Sequence, residues 1–222
     1  MALDVTPAVA AEAAELGADL IVAHHPVMNV RWHEQELQTL REDTRLGGLL
    51  TYLVRHDLSA ICMHTNLDAA EGGVNDCLAQ KLGLSGTIPL NEQKIGRIGT
   101  LSCEIPLEQF LHDVVKSLGC RGLRYRSGGR PVRRVAVGGG ACGEYIPQAL
   151  AQGCDTFVTS DLRYNDFLDT QGLNLIDAGH FPTEDVVCAE VVRRLQKAFP
   201  DIRVSKSAVH HDAVQYYMTE GE

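Results

Sequence analysis

The sequence of 222 residues predicts an α/β fold that consists of two strand–helix units. Short apolar runs alternate with segments of helical periodicity, which is the pattern of a mostly parallel sheet. Three of the runs end in histidine or carboxylate side chains, and open α/β sheets bind ligands beyond the carboxyl ends of their strands. Because the character of the sequence changes near residue 95, we place one domain at 1–94 plus 199–222 and the other at 95–198.

The first predicted unit begins with a short helix. Thr6 and Pro7 are a typical N-cap and first helical residue, and Gly17 ends the helix after Leu16. The following elements are a strand at 19–23, a helix at 37–56, a strand at 59–63 and a helix at 74–82. Leucines recur with helical spacing in the second helix, which indicates an amphipathic helix.

The second predicted unit contains the remaining elements. It opens with a strand over 95–105 and a helix over 106–118, and a hairpin-like region follows. The later elements are strands at 134–137, 156–159 and 174–177 and helices at 144–152, 164–171 and 183–198. The last two segments, 202–205 and 213–218, are predicted to be closing strands, with the tail returning to the first sheet.

The composition is that of a globular cytoplasmic protein, with 45% hydrophobic and 22% charged residues. A net charge of -9 argues against a protein that coats nucleic acid or a membrane surface. No apolar run reaches the ~18 residues that a membrane span needs, and the N-terminus lacks the pattern of a signal peptide. The 7 cysteines include no C-x-x-C pair, so we expect free thiols in a reducing compartment.

Metal-ligand residues follow three of the predicted strands. His24 and His25 end the first run, Asp68 follows the second, and His180 and Glu184 follow the last at a spacing that places both on one face of a helical turn. Three nitrogen and two oxygen donors are too many for one tetrahedral zinc ion and suit a site for two ions. Mixed imidazole and carboxylate donors fit zinc, iron or manganese.

Three more polar residues are candidates for catalysis. His64 could orient Asp68 or transfer protons, Asn66 could hold a substrate or a water molecule, and Asp161 could support a ligand as a nearby acid. Purely structural roles are the alternative for His64 and Asn66. Bound divalent ions would supply a nucleophile by lowering the pKa of water towards ~7.

Five segments together resemble a known family. They are His24-His-Pro, His64-Thr-Asn-Leu-Asp-Ala-Ala-Glu-Gly-Gly-Val-Asn-Asp76, Gly138-Gly-Gly-Ala, Thr159-Ser-Asp-Leu-Arg-Tyr164 and Asp177-Ala-Gly-His-Phe-Pro-Thr-Glu184. In this order they resemble the dinuclear-metal family known as GTP cyclohydrolase 1 type 2, or Nif-three-like, over essentially the whole chain. The resemblance implies two α/β domains with two metal ions at their interface, and a toroidal hexamer built from dimers. It places the metal ligands on His24, His25, Asp68, His180 and Glu184, with Glu184 as the bridging ligand.

The sequence departs from this family at several places. The family has some tens of residues before Leu3, including a strand and a helix, so we expect a first domain that is shortened at its N-terminus. Asn165 stands where the family often has histidine, and a long insert of some members is missing. Near the C-terminus, Asp212-Ala-Val replaces a proline–phenylalanine pair, and we interpret the adjacent His210 and His211 as a solvated turn.

From these features we predict a metal-dependent hydrolase that binds two divalent ions and acts on a small, nucleotide-like molecule. The alternative is a metal-binding regulatory or scaffold protein without turnover. The segment Gly138–Gly143 also matches G-x-G-x-x-G. Three interpretations of this match stay open: a dinucleotide site, a phosphate site at a helix N-terminus, and a tight turn with positive φ. Six arginines within 121–134 could meet a phosphate-rich partner, but the scarcity of aromatics favours a solvated hairpin or subunit contact.

Overall fold

The computed structural model describes residues 1–28 and 40–217. In chain order the elements are α1 (Pro7–Glu15), β1 (Leu20–Ala23), α2 (Arg45–Arg55), β2 (Ser59–Cys62), α3 (Thr65–Ala69), α4 (Val74–Lys81), β3 (Ser85–Pro89), β4 (Arg97–Ile105), α5 (Leu107–Leu118), β5 (Arg124–Arg126), β6 (Val132–Val137), α6 (Ile146–Ala151), β7 (Thr156–Thr159), α7 (Tyr164–Asp169), β8 (Asn174–Asp177), α8 (His180–Glu184) and α9 (Val186–Ala198). The residues group into two compact units, Met1–Leu67 with Val191–His211 and Asp68–Glu190 with Asp212–Glu222.

The first unit contains one pair of parallel strands, β1 and β2. Their register aligns Leu20 with Ser59 and Ala23 with Cys62, so the two carboxyl ends lie side by side. The helix α1 begins as predicted, because the Thr6 side chain accepts a hydrogen bond from the backbone of α1. Buried apolar side chains of α1, β1 and α2 form one core cluster in this unit.

The second unit contains a mixed sheet of six strands in the order β3-β4-β6-β7-β8-β5. Strands β6, β7 and β8 are parallel, while β3, β4 and β5 pair antiparallel with their neighbours. All residues of β7 and β8 are buried, as expected for parallel strands covered on both faces. Successive residues of these strands point to opposite faces of the sheet and so belong to different core clusters. Val158 and Ile176 belong to one cluster, and Phe157 and Leu175 belong to the other.

The boundary between the compact units differs from the predicted domain boundary at 94/95. The units divide after Leu67, because β3 pairs antiparallel with β4 and α4 contributes Leu78 and Ala79 to a core of the second unit. The sequence pattern did not predict β3, whose five residues include a glycine and a proline, two residue types that are depleted in strands.

The predicted closing strands at 202–205 and 213–218 are wrong for the residues that the structure describes, which exclude 218. Two bonds join the chain at and just beyond 202–205 to the N-terminus: the Met1 ammonium group donates to Ser205 O at 2.9 Å, and Ser207 N donates to Met1 O at 2.9 Å. The Arg203 side chain also donates to Leu16 O, at the end of α1, at 2.6 Å. The segment therefore packs without forming a ladder.

Four further predictions can be compared with the structure. The helix predicted at 37–56 is helical from Arg45, where the Thr44 side chain caps it, and the part from 37 to 39 lies outside the described residues. The interpretation of His210 and His211 as a solvated turn agrees with the exposed His211 but is wrong for His210, which is half-buried and accepts a hydrogen bond from Leu3 N at 3.1 Å. All seven cysteines lie among the described residues, and none of them forms a disulfide bond. Among the described helices, none is long and apolar enough to cross a membrane.

Candidate metal site

Three histidines of the first unit gather beyond the carboxyl ends of β1 and β2. His24 and His25 directly follow β1, and His64 follows β2. The ring centroids are 4.9 Å apart for His24 and His25, 5.1 Å for His24 and His64, and 5.7 Å for His25 and His64. One ring nitrogen of each lies within 4.8 Å of those of the other two. Such a grouping of imidazoles is a possible set of metal ligands.

Hydrogen bonds orient two of these imidazole rings. Nδ1 of His24 donates to Met63 O at 2.7 Å, and Nδ1 of His25 donates to Asp4 Oδ1 at 2.9 Å. Because a carbonyl and a carboxylate can only accept, the proton is assigned to Nδ1, which leaves the Nε2 lone pair of each ring for a metal ion. The role of Asp4 was not predicted from the sequence, since nothing in the local pattern relates Asp4 to His25.

The second unit holds a cluster of carboxylates around His180. Asp161 follows β7, while His180 and Glu184 lie in α8, which follows the neighbouring parallel strand β8. Nδ1 of His180 is 2.6 Å from Asp161 Oδ2, and Nε2 is 3.1 Å from Glu184 Oε2. A carboxylate oxygen of Asp68 lies within 4.8 Å of one of Glu184. The structure thus brings four predicted site residues of this unit together.

The carboxylates create a negative field that shifts the pKa values of their neighbours. Burial acts to lower the pKa of His180, but contacts with Glu184 and Asp161 outweigh it and raise the pKa to about 9. Burial raises the pKa of Cys142 to about 12, and the charges of Asp68 and Glu184 add to this effect. The Cys142 thiol is therefore neutral at pH 7, while a cation would be stabilised beside the carboxylates.

The backbone turn after β6 approaches Glu184 so closely that it requires glycine. Gly140 has a φ of 65°, and a Cβ atom there would lie 2.2 Å from Glu184 Oε1 and 3.2 Å from His180 Cε1. The missing side chain therefore provides the space in which the Glu184 carboxylate lies. Gly140 belongs to one of the motifs found in the sequence, but its close approach to Glu184 was not predicted.

Three amide groups of this glycine turn already have partners. Gly139 N donates to Asn75 Oδ1 at 2.9 Å, Gly140 N to Thr183 Oγ1 at 3.1 Å, and Cys142 N to Thr159 Oγ1 at 3.1 Å. Amides that are bonded to side chains do not cradle a phosphate group. Of the three interpretations of Gly138–Gly143, this arrangement favours a tight turn rather than a dinucleotide site or a phosphate site.

The chemistry of the two clusters fits divalent metal ions. The first unit offers neutral imidazole nitrogens that hydrogen bonds orient, and the second offers two carboxylates and an imidazole held by a third carboxylate. This combination of nitrogen and hard oxygen donors suits zinc, iron and manganese. The space at Gly140 is filled by the carboxylate of Glu184, as expected if that side chain is held ready for a cation.

The two remaining predicted catalytic residues lie on the surface of the first unit as it is described. His64 is exposed, with Nδ1 at 3.3 Å from Thr65 Oγ1, and Asn66 is exposed on α3. An exposed imidazole can exchange protons with solvent, and an exposed amide can contact a substrate. Both roles stay predictions.

Half of the six clustered arginines have partners inside the second unit. Arg124 donates to Leu162 O at 2.8 Å and pairs with Asp177; Arg126 donates to Phe167 O at 2.7 Å. Arg134 donates to Gln152 O at 3.1 Å. These bonds support a structural role for half of the cluster and weaken the hypothesis of a phosphate-binding surface. The other three, Arg121, Arg130 and Arg133, are exposed, as is Arg124.

A cavity of about 600 Å³ lies elsewhere in the first unit. Its wall is mostly apolar and includes Leu16, Leu20, Leu195, Phe199 and Ile202. None of the predicted site residues lines it, so the cavity gives no support to the metal chemistry.

The fold and the clustered side chains define an α/β protein with histidines and carboxylates gathered near the carboxyl ends of parallel strands. Comparison with known families gives its place among such proteins. The family model Duf34/NIF3 (NGG1p interacting factor 3) matches residues 1–213, and the chain belongs to this family. The resemblance found in the sequence motifs is thereby confirmed.

Sequence relatives carry a consistent name. The chain is 32% identical over 206 residues to a protein of Clostridium perfringens named GTP cyclohydrolase 1 type 2 homolog, with 89% of this chain and 77% of the relative covered. A relative of the same name from Streptococcus pneumoniae is 32% identical over 192 residues, which cover 82% of this chain and 70% of that protein.

Solved structures show the same mixed α/β fold. A Bacillus cereus protein related to NIF3 has a TM-score of 0.87 at 25% identity, covering 97% of this chain and 88% of that chain. A hypothetical protein of Staphylococcus aureus also has a TM-score of 0.87 at 27% identity, covering 97% and 85%. The predicted α/β fold class is confirmed by these similarities.

Proposed function

We propose that this protein binds two divalent metal ions and hydrolyses a small, nucleotide-like molecule. The proposed ligands are His24, His25, Asp68, His180 and Glu184. The observation that carries the proposal is that predicted ligands cluster within each compact unit, with hydrogen bonds orienting His24, His25 and His180. Zinc, iron and manganese are the candidate metals.

The protein's own residues would position the ligands and move protons. Asp4 accepts a hydrogen bond from Nδ1 of His25, and Asp161 accepts one from Nδ1 of His180. Each bond keeps its ring in one orientation and would make the other ring nitrogen, Nε2, a stronger ligand for a metal ion. Glu184 is 3% exposed, and its buried carboxylate would hold a divalent ion beside His180. Divalent ions in such sites lower the pKa of coordinated water to ~7 and polarise a carbonyl or phosphoryl oxygen.

The exposed His64 is our candidate for proton transfer during hydrolysis. Histidine is the side chain best suited to take up and release protons near neutral pH. Asn66, exposed on the same part of the chain, is our candidate for a hydrogen bond to the substrate. Asp161 is the proposed supporting acid, because its carboxylate bonds His180 directly.

The name of the sequence relatives makes GTP the first substrate to test. The glycine turn gives little reason to expect that a phosphate rests on its amides, since three of them bond side chains. We therefore expect recognition of the reacting group by the metal site rather than by a phosphate-binding loop. A toroidal hexamer of dimers and a cytoplasmic location, which the sequence analysis predicted, are also part of this proposal.

The test is a turnover assay on protein reconstituted with zinc, manganese or iron. GTP and generic phosphoesters are incubated with wild-type protein, with metal-free protein and with Glu184→Ala, and products are identified by mass spectrometry. We expect hydrolysis by the reconstituted wild type only. Metal binding without any product would favour the alternative, a regulatory or scaffold protein. Equal product from metal-free protein would overturn the proposed chemistry.

A further inference from the structure

Asn75 is a completely buried amide that joins two segments of the second unit. It lies in the first turn of α4 and has 0% exposure. The amide nitrogen donates to Asp68 O at 3.0 Å, and the amide oxygen accepts from Gly139 N at 2.9 Å. One side chain therefore holds the backbone of the glycine turn and the start of the Asp68 loop, which we define as residues 68–73, from the end of α3 to the start of α4.

Both of these backbone segments determine where carboxylate ligands lie. The first carries Asp68 itself, whose carboxylate has an oxygen within 4.8 Å of one on Glu184. The second packs against Glu184: a Cβ atom on Gly139 would lie 3.4 Å from Glu184 Cγ, and one on Gly140 would lie 2.2 Å from Glu184 Oε1. A shift at either end of the Asn75 amide would change the separation of the two carboxylates.

We propose that Asn75 is a positioning residue that sets the separation of the Asp68 and Glu184 carboxylates and thereby the affinity for divalent ions. This inference rests on the proposed metal-binding function. Asn75 touches neither metal nor substrate in this role. It acts through Asp68 and the turn that contacts Glu184.

The position requires an amide because it needs one donor and one acceptor. A carbonyl oxygen accepts only and a backbone N–H donates only, so the two ends of the Asn75 side chain match their partners. An aspartate at this position would keep the acceptor for Gly139 but would place a carboxylate oxygen against Asp68 O. Aspartate is therefore a nearly isosteric change that reverses one of the two contacts.

Other residues hold the rest of the Asp68 loop without Asn75. Buried Arg97 donates to Ala70 O at 3.2 Å, and Asp76 Oδ2 accepts from Gly72 N at 2.6 Å. Arg97 and Asp76 also form an ion pair. Substitution of Asn75 should therefore loosen the backbone at Asp68 and Gly139 while the loop as a whole remains folded.

Asn174 provides a matched control in the same unit. It is also 0% exposed and also bridges two backbone groups, accepting from Gly128 N at 2.8 Å and donating to Arg130 O at 3.0 Å. It lies at the amino end of β8, away from the strand end that leads to His180. Asn174→Asp thus removes an equivalent buried amide without touching the ligands.

The experiment titrates Zn²⁺ and Mn²⁺ into metal-free wild type, Asn75→Asp and Asn174→Asp by isothermal calorimetry, with melting temperatures measured in parallel. We expect Asn75→Asp to bind about 10–100-fold more weakly than wild type, the usual loss for a residue that orients a ligand. Asn174→Asp should lose comparable thermal stability and keep wild-type affinity. If Asn75→Asp does not fold, Asn75→Ser is titrated with the same expectation.

The outcomes separate this inference from the function on which it rests. Wild-type affinity in the folded Asn75 variant, or an equal loss in Asn174→Asp, would overturn the positioning role and leave metal binding intact. A wild-type protein that binds neither ion would overturn the proposed function and the inference with it.

Discussion

Replacement of Gly140 by alanine tests whether the glycine turn holds Glu184 in place for a metal ion. The Cβ of alanine would lie 2.2 Å from Glu184 Oε1, whereas real Cβ contacts stay beyond 3.0 Å. The carboxylate oxygen must therefore retreat by roughly 0.8 Å, the difference between these two distances. Glu184 is 3% exposed, so it has little room to retreat without disturbing its contact with His180.

Two effects contribute to the expected result. Gly140 has a φ of 65°, and the left-handed region costs a residue with a Cβ atom about 1–2 kcal/mol. For a chain of this size that corresponds to a melting temperature lower by about 2–8 °C. Displacement of Glu184 adds a loss of metal affinity, which we expect to be at least the ~10–100-fold typical of misoriented ligands.

Gly153→Ala is the control for the backbone effect. Gly153 has a φ of 72°, and a Cβ atom there would have no heavy atom within 4 Å, so this position has the same conformational cost without the contact. Calorimetric titration of Zn²⁺ and thermal melts are compared for both variants. We expect both variants to melt below wild type, Gly140→Ala by more because of the added contact with Glu184, and weakened binding in Gly140→Ala alone. Equal Zn²⁺ affinity in Gly140→Ala and Gly153→Ala would refute the argument that this turn positions Glu184.

Two further predictions concern the first unit. Asp4→Ala removes the hydrogen bond to His25 Nδ1 and should weaken metal binding about 10–100-fold in calorimetry. The control Asp43→Ala breaks an exposed ion pair and should leave the metal affinity unchanged. Equal affinities of the two variants would contradict the role of Asp4. Burial acts to raise the pKa of Glu12, but hydrogen bonds from Ser207 and from a backbone amide outweigh it and hold the pKa below its ordinary 4.5. Stability from this carboxylate is present above pH 4.5 and lost as the pH falls through the folded pKa, so the wild-type melting temperature should fall more steeply on acidification than that of Glu12→Gln; parallel curves would contradict the assignment.

The positions of the strand ends were predictable because they are local properties of the sequence. Apolar runs of strand length ended at His24 and before His180, and the structure has β1 and β8 ending there or shortly before. Parallel neighbours align their carboxyl ends, so the grouping of side chains within each unit followed from the strand–helix alternation. The resemblance to the family supplied the set of ligands.

The residues that orient the ligands could not be predicted in the same way. Asp4 and His25 meet because Ala2 and Leu3 run beside β1, and Asn75 meets Gly139 because α4 packs near the end of β6; both contacts join segments distant in sequence. No local period or spacing encodes such pairs. The segment after α9 was predicted wrongly for a related reason: Arg203 and Ser207 bond it to the end of α1 and to Glu12, and no local pattern encodes these contacts.

The metal content of the purified protein tests the proposed site most directly. Elemental analysis is applied to wild type, His24→Ala and Glu184→Ala after reconstitution with zinc, manganese or iron, with the exposed His112→Ala as a control. We predict about two ions per chain in wild type and in His112→Ala, and fewer in the other two variants. Wild-type protein without metal, or a Glu184→Ala variant that keeps the full content, would contradict the proposed site.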